Sequence, residues 1–79
     1  MRVVLSLYAS LSKYLPDDAN GKSCTVEIHE GTKVGQMLER LNVPVESVKM
    51  IFLNGIHAEI DTALKDGDRV GVFPPVAGG

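Results

Sequence analysis

Few side chains of this chain have the type and spacing that chemistry requires, and the most reactive group belongs to the backbone. Gly78-Gly79 closes the sequence behind Phe73-Pro74-Pro75-Val76-Ala77. Glycine has no Cβ, so the last peptide units can enter a slot that any other residue would obstruct. An α-carboxyl with a pKa near 3.5 is an anionic nucleophile at neutral pH. On such a tip it can meet the α-phosphate of a nucleotide, become an activated acyl group, and later pass a bound atom to a second active site. A Gly-Gly ending by itself also suits an inert tail, because termini are commonly disordered. Its context separates the two readings.

Other reactive side chains offer little. His29 and His57 lie far apart, each in a strand-like stretch and neither near a Cys or His partner in sequence. Exposed or hydrogen-bonded strand residues are the default reading for both. Cys24 alternates with Val26 and Ile28 and reads as a small buried hydrophobe. No Cys-x-x-Cys pair is present for zinc or redox work. Asp66-Gly67-Asp68 looks like part of a calcium loop but lacks the further oxygen ligands, so it reads as turn chemistry. There is no glycine-rich phosphate loop with its lysine, so ATP binding by the chain itself is not expected. Met37 and Met50 read as core. No enzyme active site is visible.

The segment before the tip has the character of a stiff arm. Pro74 and Pro75 fix φ and lack an N–H, so no strand ladder continues through them. Pro75 also holds Pro74 in extended or polyproline geometry. At that rise the stretch from Phe73 to Gly79 reaches roughly 19 Å. A partner with a deep channel could be threaded by it at modest entropic cost.

The elements behind the arm follow from periodicity. Arg2 to Tyr8 alternates Val3, Leu5 and Leu7 against Val4, Ser6 and Tyr8, a strand with one strongly apolar face. Ser10 to Leu15 suits a short helical turn closed by Pro16, and residues 17–21 are loop. Ser23 to Glu30 alternates as a second strand. Val34, Met37, Leu38 and Leu41 then form the stripe of an amphipathic helix. Thr32 is its expected N-cap, and Asn42 and Pro44 end it. Lys49 to Leu53 is a third strand, Asn54-Gly55 a strong hairpin signal, and Ile56 to Ile60 the return. Residues 64–68 form a tight turn before the last strand, Arg69 to Phe73.

Seventy-nine residues with 44% hydrophobic content make one small globular domain. A net charge of −2 with scattered Lys and Arg argues against a nucleic-acid surface. No apolar stretch approaches a membrane span and no signal peptide is evident. A single cysteine fits a reducing cytoplasm, so a cytoplasmic location is expected. The element order places a crossover helix against one face of a mixed sheet of about five strands, a two-layer α+β domain. The ubiquitin-like β-grasp is its most economical arrangement, with the first and last strands paired at the centre. Residues 1–73 form the domain, and residues 74–79 a flexible C-terminal tail.

Leu53-Asn54-Gly55, then Asp61-Thr62-x-Leu64-x-Asp66-Gly67-Asp68-Arg69-Val70, then Phe73-Pro74-Pro75-Val76-Ala77-Gly78-Gly79 resembles the MoaD/ThiS family of sulfur-carrier proteins, nearest to the small subunit of molybdopterin synthase. The resemblance is clear over residues 49–79, and the earlier elements agree in order. It implies a β-grasp and a defined cycle. A ubiquitin-activating-type adenylyltransferase uses ATP to adenylate the terminal carboxylate, and sulfur from a donor displaces AMP to leave a thiocarboxylate. The tail then enters the large subunit of molybdopterin synthase, in a heterotetramer, and gives sulfur to a pterin precursor. The chain would be a protein co-substrate and non-catalytic subunit, holding neither cofactor nor metal.

By the same resemblance, Gly79 is the activated and thiocarboxylated residue and Gly78 gives it passage. Val76 and Ala77 insert, Pro74 and Pro75 hold the tail straight, and Phe73 is a candidate docking residue whose other reading is sheet packing. Arg69 stands where the family is often acidic, and Ser12-Lys13 where the molybdopterin branch often has Arg-Glu. These departures leave the branch open. Sulfur carriage for thiazole, cysteine or a tungsten-specific pterin, a ubiquitin-like protein modifier, and an interaction module with an inert tail remain as alternatives.

Overall fold

The computed structural model describes residues 1–16 and 19–75. Five strands form one mixed sheet in the order β2-β1-β5-β3-β4: β1 (Arg2–Leu7), β2 (Ser23–Glu27), β3 (Met50–Leu53), β4 (Ile56–Ala58) and β5 (Arg69–Phe73). The helix α1 (Val34–Arg40) lies between β2 and β3 in the chain, and two short 3-10 helices span Ala9–Tyr14 and Val45–Ser47. β1 and β5 pair in parallel at the centre, with Leu5 opposite Val70 and Leu7 opposite Val72. β2 and β3 flank them antiparallel. This is the mixed sheet and single crossover helix of a ubiquitin-like β-grasp.

Alternation sorts the sheet into two faces. Val3, Leu5, Leu7, Ile51, Val70 and Val72 are buried on the helix side, against Val34, Met37 and Leu38 of α1. The opposite, open face carries the alternate residues, among them Tyr8, Phe52 and Phe73. Met50 belongs to this second set: it pairs with Phe73 and is 40% exposed, so it is not core. Cys24 sits opposite Leu5 on the helix side but is only half-buried, because β2 is an edge strand.

Several element ends differ from the sequence reading for local reasons. The N-cap of α1 is Lys33 rather than Thr32, whose Oγ1 instead donates to the His29 carbonyl at 2.6 Å. Gln36 turns back to accept the Lys33 N–H at 2.8 Å. The next donors of α1 are satisfied from outside, Val34 N–H by the Thr62 carbonyl at 3.0 Å and Gly35 N–H by the Ile60 carbonyl at 2.8 Å. That close approach needs glycine: a Cβ on Gly35 would stand 2.9 Å from Ile60 Cγ1. β4 stops at Ala58, since the Glu59 N–H turns to Thr62 Oγ1 at 3.1 Å. β2 stops at Glu27, which leaves His29 exposed in the following turn.

The turn before β5 sets that strand's position. Asp68, 8% exposed, accepts the Lys65 N–H through Oδ2 at 2.7 Å and Asn54 Nδ2 through Oδ1 at 3.0 Å. Asn54 Oδ1 in turn accepts the Arg69 N–H at 2.9 Å, and the Asn54 N–H donates to the Arg69 carbonyl at 2.8 Å. Asn54 and Gly55 both have positive φ, as the tight β3–β4 turn requires. On the other side, Arg2 N–H donates to Asp66 Oδ1 at 2.8 Å, and Gly67 N–H to the Arg2 carbonyl at 2.7 Å. One Asp-Gly-Asp turn therefore ties β5 to the hairpin on one side and to β1 on the other.

Candidate functional site

β5 leads directly into the C-terminal segment to which the sequence reading assigns the chemistry, so the surface around the end of β5 is the candidate functional surface. At that end the backbone is held from both sides. Lys49 N–H donates to the Phe73 carbonyl at 2.8 Å, and Tyr8 N–H to the Val72 carbonyl at 3.1 Å. Pro74, half-buried, and Pro75, exposed, follow directly. Neither has an N–H, so the ladder ends there. Val76, Ala77, Gly78 and Gly79, the inserting and reacting positions expected from the sequence, lie outside the described residues.

Phe73 has a definite environment. Its ring stacks on Tyr8 with centroids 4.3 Å apart and planes within 5°. Phe52 meets it edge-on, 5.8 Å away at 90°, and His57 packs edge-on against Phe52 at 6.0 Å. Both readings of Phe73 thus have a physical basis, since the ring is packed yet lies on the open face. Tyr8 reaches Phe73 because Ala9, at φ 52°, turns the chain sharply off β1. Under the rings lies Gly71. A Cβ there would stand 3.5 Å from Tyr8 Cε2 and 3.8 Å from Phe73 Cε1, so the rings cover a strand position that carries no side chain. The result is a shallow depression of about 310 Å³ lined by Ser6, Tyr8, Phe52, Arg69, Gly71 and Phe73, among others.

Polar groups frame it. Ser6 and Ser23 hydroxyls share a hydrogen bond of 2.7 Å, and Lys22 Nζ lies 5.9 Å from the Tyr8 ring centroid. At the far end of the face Arg2 Nε donates to Glu27 Oε1 at 2.6 Å. That hydrogen bond holds the Glu27 carboxyl below its ordinary range and raises the Arg2 guanidinium. A larger depression, about 570 Å³, runs beside the β2 edge, lined by Val4, Asn20, Ser23, Cys24 and Thr25. It has one thiol and no acid–base pair, so its size carries no chemistry. No three His, Cys, Asp or Glu residues come together to hold a metal among the described residues. Among them, too, no helix is long and apolar enough to cross a membrane.

Of the expected partner-binding residues the structure thus places Phe73, Pro74 and Pro75 at one sheet end. It adds Tyr8, Phe52 and Gly71, which the sequence reading did not single out. Their signal was present: each falls on the outward register of its strand, where a polar residue would be usual.

Comparison with proteins of known structure agrees with this architecture. SAMP1 from Haloferax volcanii superposes with a TM-score of 0.74 at 22% identity, over 100% of both chains. A Pyrococcus furiosus protein assigned as molybdopterin converting factor, subunit 1, gives 0.70 at 29% identity over 95% of this chain and 98% of that one. The complex of subunits 1 and 2 of the Helicobacter pylori molybdopterin-converting factor contains a chain with a TM-score of 0.61 at 22% identity, covering 100% of both. No curated protein sequence matched. The family model described as Mut7-C ubiquitin matches residues 1–78. With that match spanning nearly the whole chain, and with its structural neighbours among the MoaD and SAMP proteins, the chain belongs to the Mut7-C ubiquitin family of ubiquitin-like β-grasp domains.

Proposed function

We propose that this domain is a sulfur carrier whose Gly79 carboxylate is adenylated by a ubiquitin-activating-type enzyme and converted to a thiocarboxylate. It then delivers sulfur as the small subunit of a molybdopterin synthase, with the catalytic residues on the large subunit. The observation that carries this reading is the strand that bears the tail. β5 is central, paired on both sides, and ends at Phe73-Pro74-Pro75, so a Gly-Gly tip starts from a fixed root and leaves the sheet at once. The subunit 1 relative from Pyrococcus furiosus supports the pterin branch, and the Helicobacter pylori complex supports a large-subunit partner.

The chemistry needs no base from this chain. The carboxylate oxygen attacks the α-phosphate of ATP and pyrophosphate leaves. Hydrosulfide attacking the acyl carbon with loss of AMP gives the thiocarboxylate directly. A donor persulfide gives an acyl disulfide instead, which a second donor thiolate cleaves, taking up the S–S bond as a donor disulfide and freeing the thiocarboxylate. Gly78 and Gly79 supply narrowness, Val76 and Ala77 line the inserted arm, and Pro74 and Pro75 keep it extended.

Intact-mass measurement tests this directly. The chain is incubated with ATP, the activating enzyme of the same genome and a sulfur donor. Replacement of one oxygen by sulfur is expected, and the change disappears when Gly79 is deleted. Gly78→Val should fold and yet fail. Sulfur acquired by either variant would overturn the assignment. A second reading, a protein modifier that joins Gly79 to lysines, is favoured by the full-length likeness to SAMP1, whose counterpart in Methanosarcina acetivorans is described as a small archaeal modifier protein. Isopeptide-linked products in cells distinguish it from the carrier.

A further inference from the structure

Two Asn-Gly dipeptides stand in this chain, Asn20-Gly21 and Asn54-Gly55. In such a pair the glycine nitrogen can attack the asparagine side-chain carbon, since no Cβ on the second residue obstructs the approach. Asn42, the remaining asparagine, is followed by Val43, whose branched side chain crowds the same path. The two Asn-Gly pairs are closely matched in setting. Both asparagines and both glycines are exposed, and Gly21 and Gly55 have φ of 67° and 84°. A Cβ on either glycine would meet nothing within 4 Å. Each pair also lies in a tight hairpin. Asn20 exchanges backbone bonds with Ser23 at 2.9 and 3.2 Å, and Asn54-Gly55 joins β3 to β4.

They differ in what holds the side-chain amide. Asn54 is fixed at both of its polar atoms: Oδ1 accepts the Arg69 N–H at 2.9 Å, and Nδ2 donates to Asp68 Oδ1 at 3.0 Å. Attack on Cγ requires this amide to swing toward the Gly55 nitrogen, and the swing breaks both bonds. Asn20 is tied through its backbone alone, and its side-chain amide bonds to no described residue.

We infer that Asn20 is the site at which the folded chain is modified by deamidation, and that the bonds from Asn54 to Asp68 and Arg69 hold the second dipeptide unreactive. The step needs only water and hydroxide. The Gly21 nitrogen gives its proton to hydroxide and attacks Asn20 Cγ. A C–N bond forms to close a succinimide ring, the Cγ–Nδ2 bond breaks, and Nδ2 leaves as ammonia with a proton from water, which returns the hydroxide. One water then opens the ring. Opening at Cγ gives aspartate, and opening at the backbone carbonyl gives isoaspartate, with the chain running through Cβ. Either product adds a negative charge to a chain of net charge −2. Isoaspartate also lengthens the backbone of the Asn20–Ser23 hairpin by one methylene.

The same reaction at Asn54 would cost the fold more. It would replace a donor by a carboxylate oxygen 3.0 Å from Asp68 Oδ1, in a residue 8% exposed, and like charges sharing such a site disfavour each other. Protection therefore falls on the dipeptide whose loss would release β5. The inference is independent of the chemistry at Gly79.

The test incubates full-length chain at mildly alkaline pH, well below its melting temperature. The mass gain of NH2 replaced by OH is followed with time and assigned to Asn20 or Asn54 by peptide mapping, and isoaspartate is read with an isoaspartyl methyltransferase. In the folded chain Asn20 should convert at least about tenfold faster than Asn54, the factor that one hydrogen bond to a charged group commands. In urea the two sites should convert at comparable rates. Asp68→Ala, still folded at this temperature, should raise the Asn54 rate about tenfold and leave the Asn20 rate unchanged. Comparable rates in the folded chain, or faster loss of Asn54, overturn the proposal. So does a difference that persists unchanged in urea, which would trace it to neighbouring sequence, and so does an Asn54 rate indifferent to Asp68→Ala.

Discussion

Asp68→Ala probes whether the turn before β5 sets the strand that bears the tail. The carboxylate accepts two hydrogen bonds, from Lys65 N–H at 2.7 Å and from Asn54 Nδ2 at 3.0 Å, in a residue 8% exposed. A hydrogen bond to a charged group contributes about 1.5–3 kcal/mol, so the simple sum is about 3–6 kcal/mol. Lys65 and Asn54 are themselves exposed, so water can replace part of what is lost. The expected destabilisation is therefore about 2–3 kcal/mol, which lowers the melting temperature of a domain this size by about 10–20 °C. Guanidinium and thermal unfolding followed by circular dichroism would measure it. Asp68→Asn keeps one acceptor oxygen and should lose about half as much. Because Asn54 Oδ1 also holds Arg69 N–H, Asn54→Ala and Asp68→Ala should combine less than additively, by about 1 kcal/mol. A loss below 1 kcal/mol, or full additivity, would refute the turn as a coupled clamp. Phe73 lies at the other end of β5, where Lys49 N–H holds its carbonyl and Tyr8 N–H holds that of Val72, so the proposed thiocarboxylation well below the melting point should be unaffected.

Other perturbations have signs that the geometry decides. Gly35→Ala gains about 1 kcal/mol of helix propensity but places a Cβ 2.9 Å from Ile60 Cγ1 and 3.2 Å from its carbonyl, an overpacking that costs about 1–3 kcal/mol. Net destabilisation is expected in urea melts, and adding Ile60→Ala should recover part of it. Ala9 sits at φ 52°, where a β-branched side chain is strained, so Ala9→Val should lose about 1–2 kcal/mol in the same melts while Ala9→Gly loses none. Glu27 titrates below its ordinary range in the folded chain because Arg2 donates to it. Its contribution is fully present above the unfolded carboxylate pKa and is lost as pH falls through the depressed folded value. Melting temperatures of Glu27→Gln and wild type should thus differ near neutrality and converge in acid, with a small difference because both side chains are exposed.

How far the sequence carried depends on which forces are local. The strands and α1 were legible because burial imposes a period, and Leu5, Val70, Met37 and Leu38 are buried as that period requires. Asn54-Gly55 and Asp66-Gly67-Asp68 were legible as turns because their backbone conformations demand those residues. The bonding of one turn to the other was not, since it joins residues 14 apart in sequence through side chains that each look like ordinary turn formers. Met50 was misread because strand alternation gives two faces without saying which is covered, and Met50 falls with Phe52 on the open one. Thr32 gave up the cap because its hydroxyl found the His29 carbonyl first, a competition between local acceptors that composition does not rank. The aromatic depression escaped notice for a related reason. Tyr8, Phe52, Gly71 and Phe73 come from three strands or their ends, and their proximity depends on the parallel pairing of β1 with β5.

That pairing also bears on why a tail-borne reaction suits this fold. The reaction proposed for Gly79 needs a tip free enough to enter two different enzymes and a body that both can grip in one orientation. A terminal segment leaving an edge strand would meet neither demand well, because edges fray and present unpaired backbone to any neighbour. Here the last strand is interior, bonded to β1 and β3, and its final carbonyls are taken by Tyr8 and Lys49. Fraying of Val72 and Phe73 together would break bonds to Tyr8 on one side and Lys49 on the other, so the root stays fixed while Pro74 and Pro75 end the ladder abruptly. Carrier and modifier readings make the same mechanical demand up to the acyl adenylate and differ only in the nucleophile that attacks it. An interior last strand that ends at Phe73-Pro74-Pro75 thus suits the proposed carrier and the modifier alternative equally, and the two part at the nucleophile, sulfur in one and a lysine amine in the other.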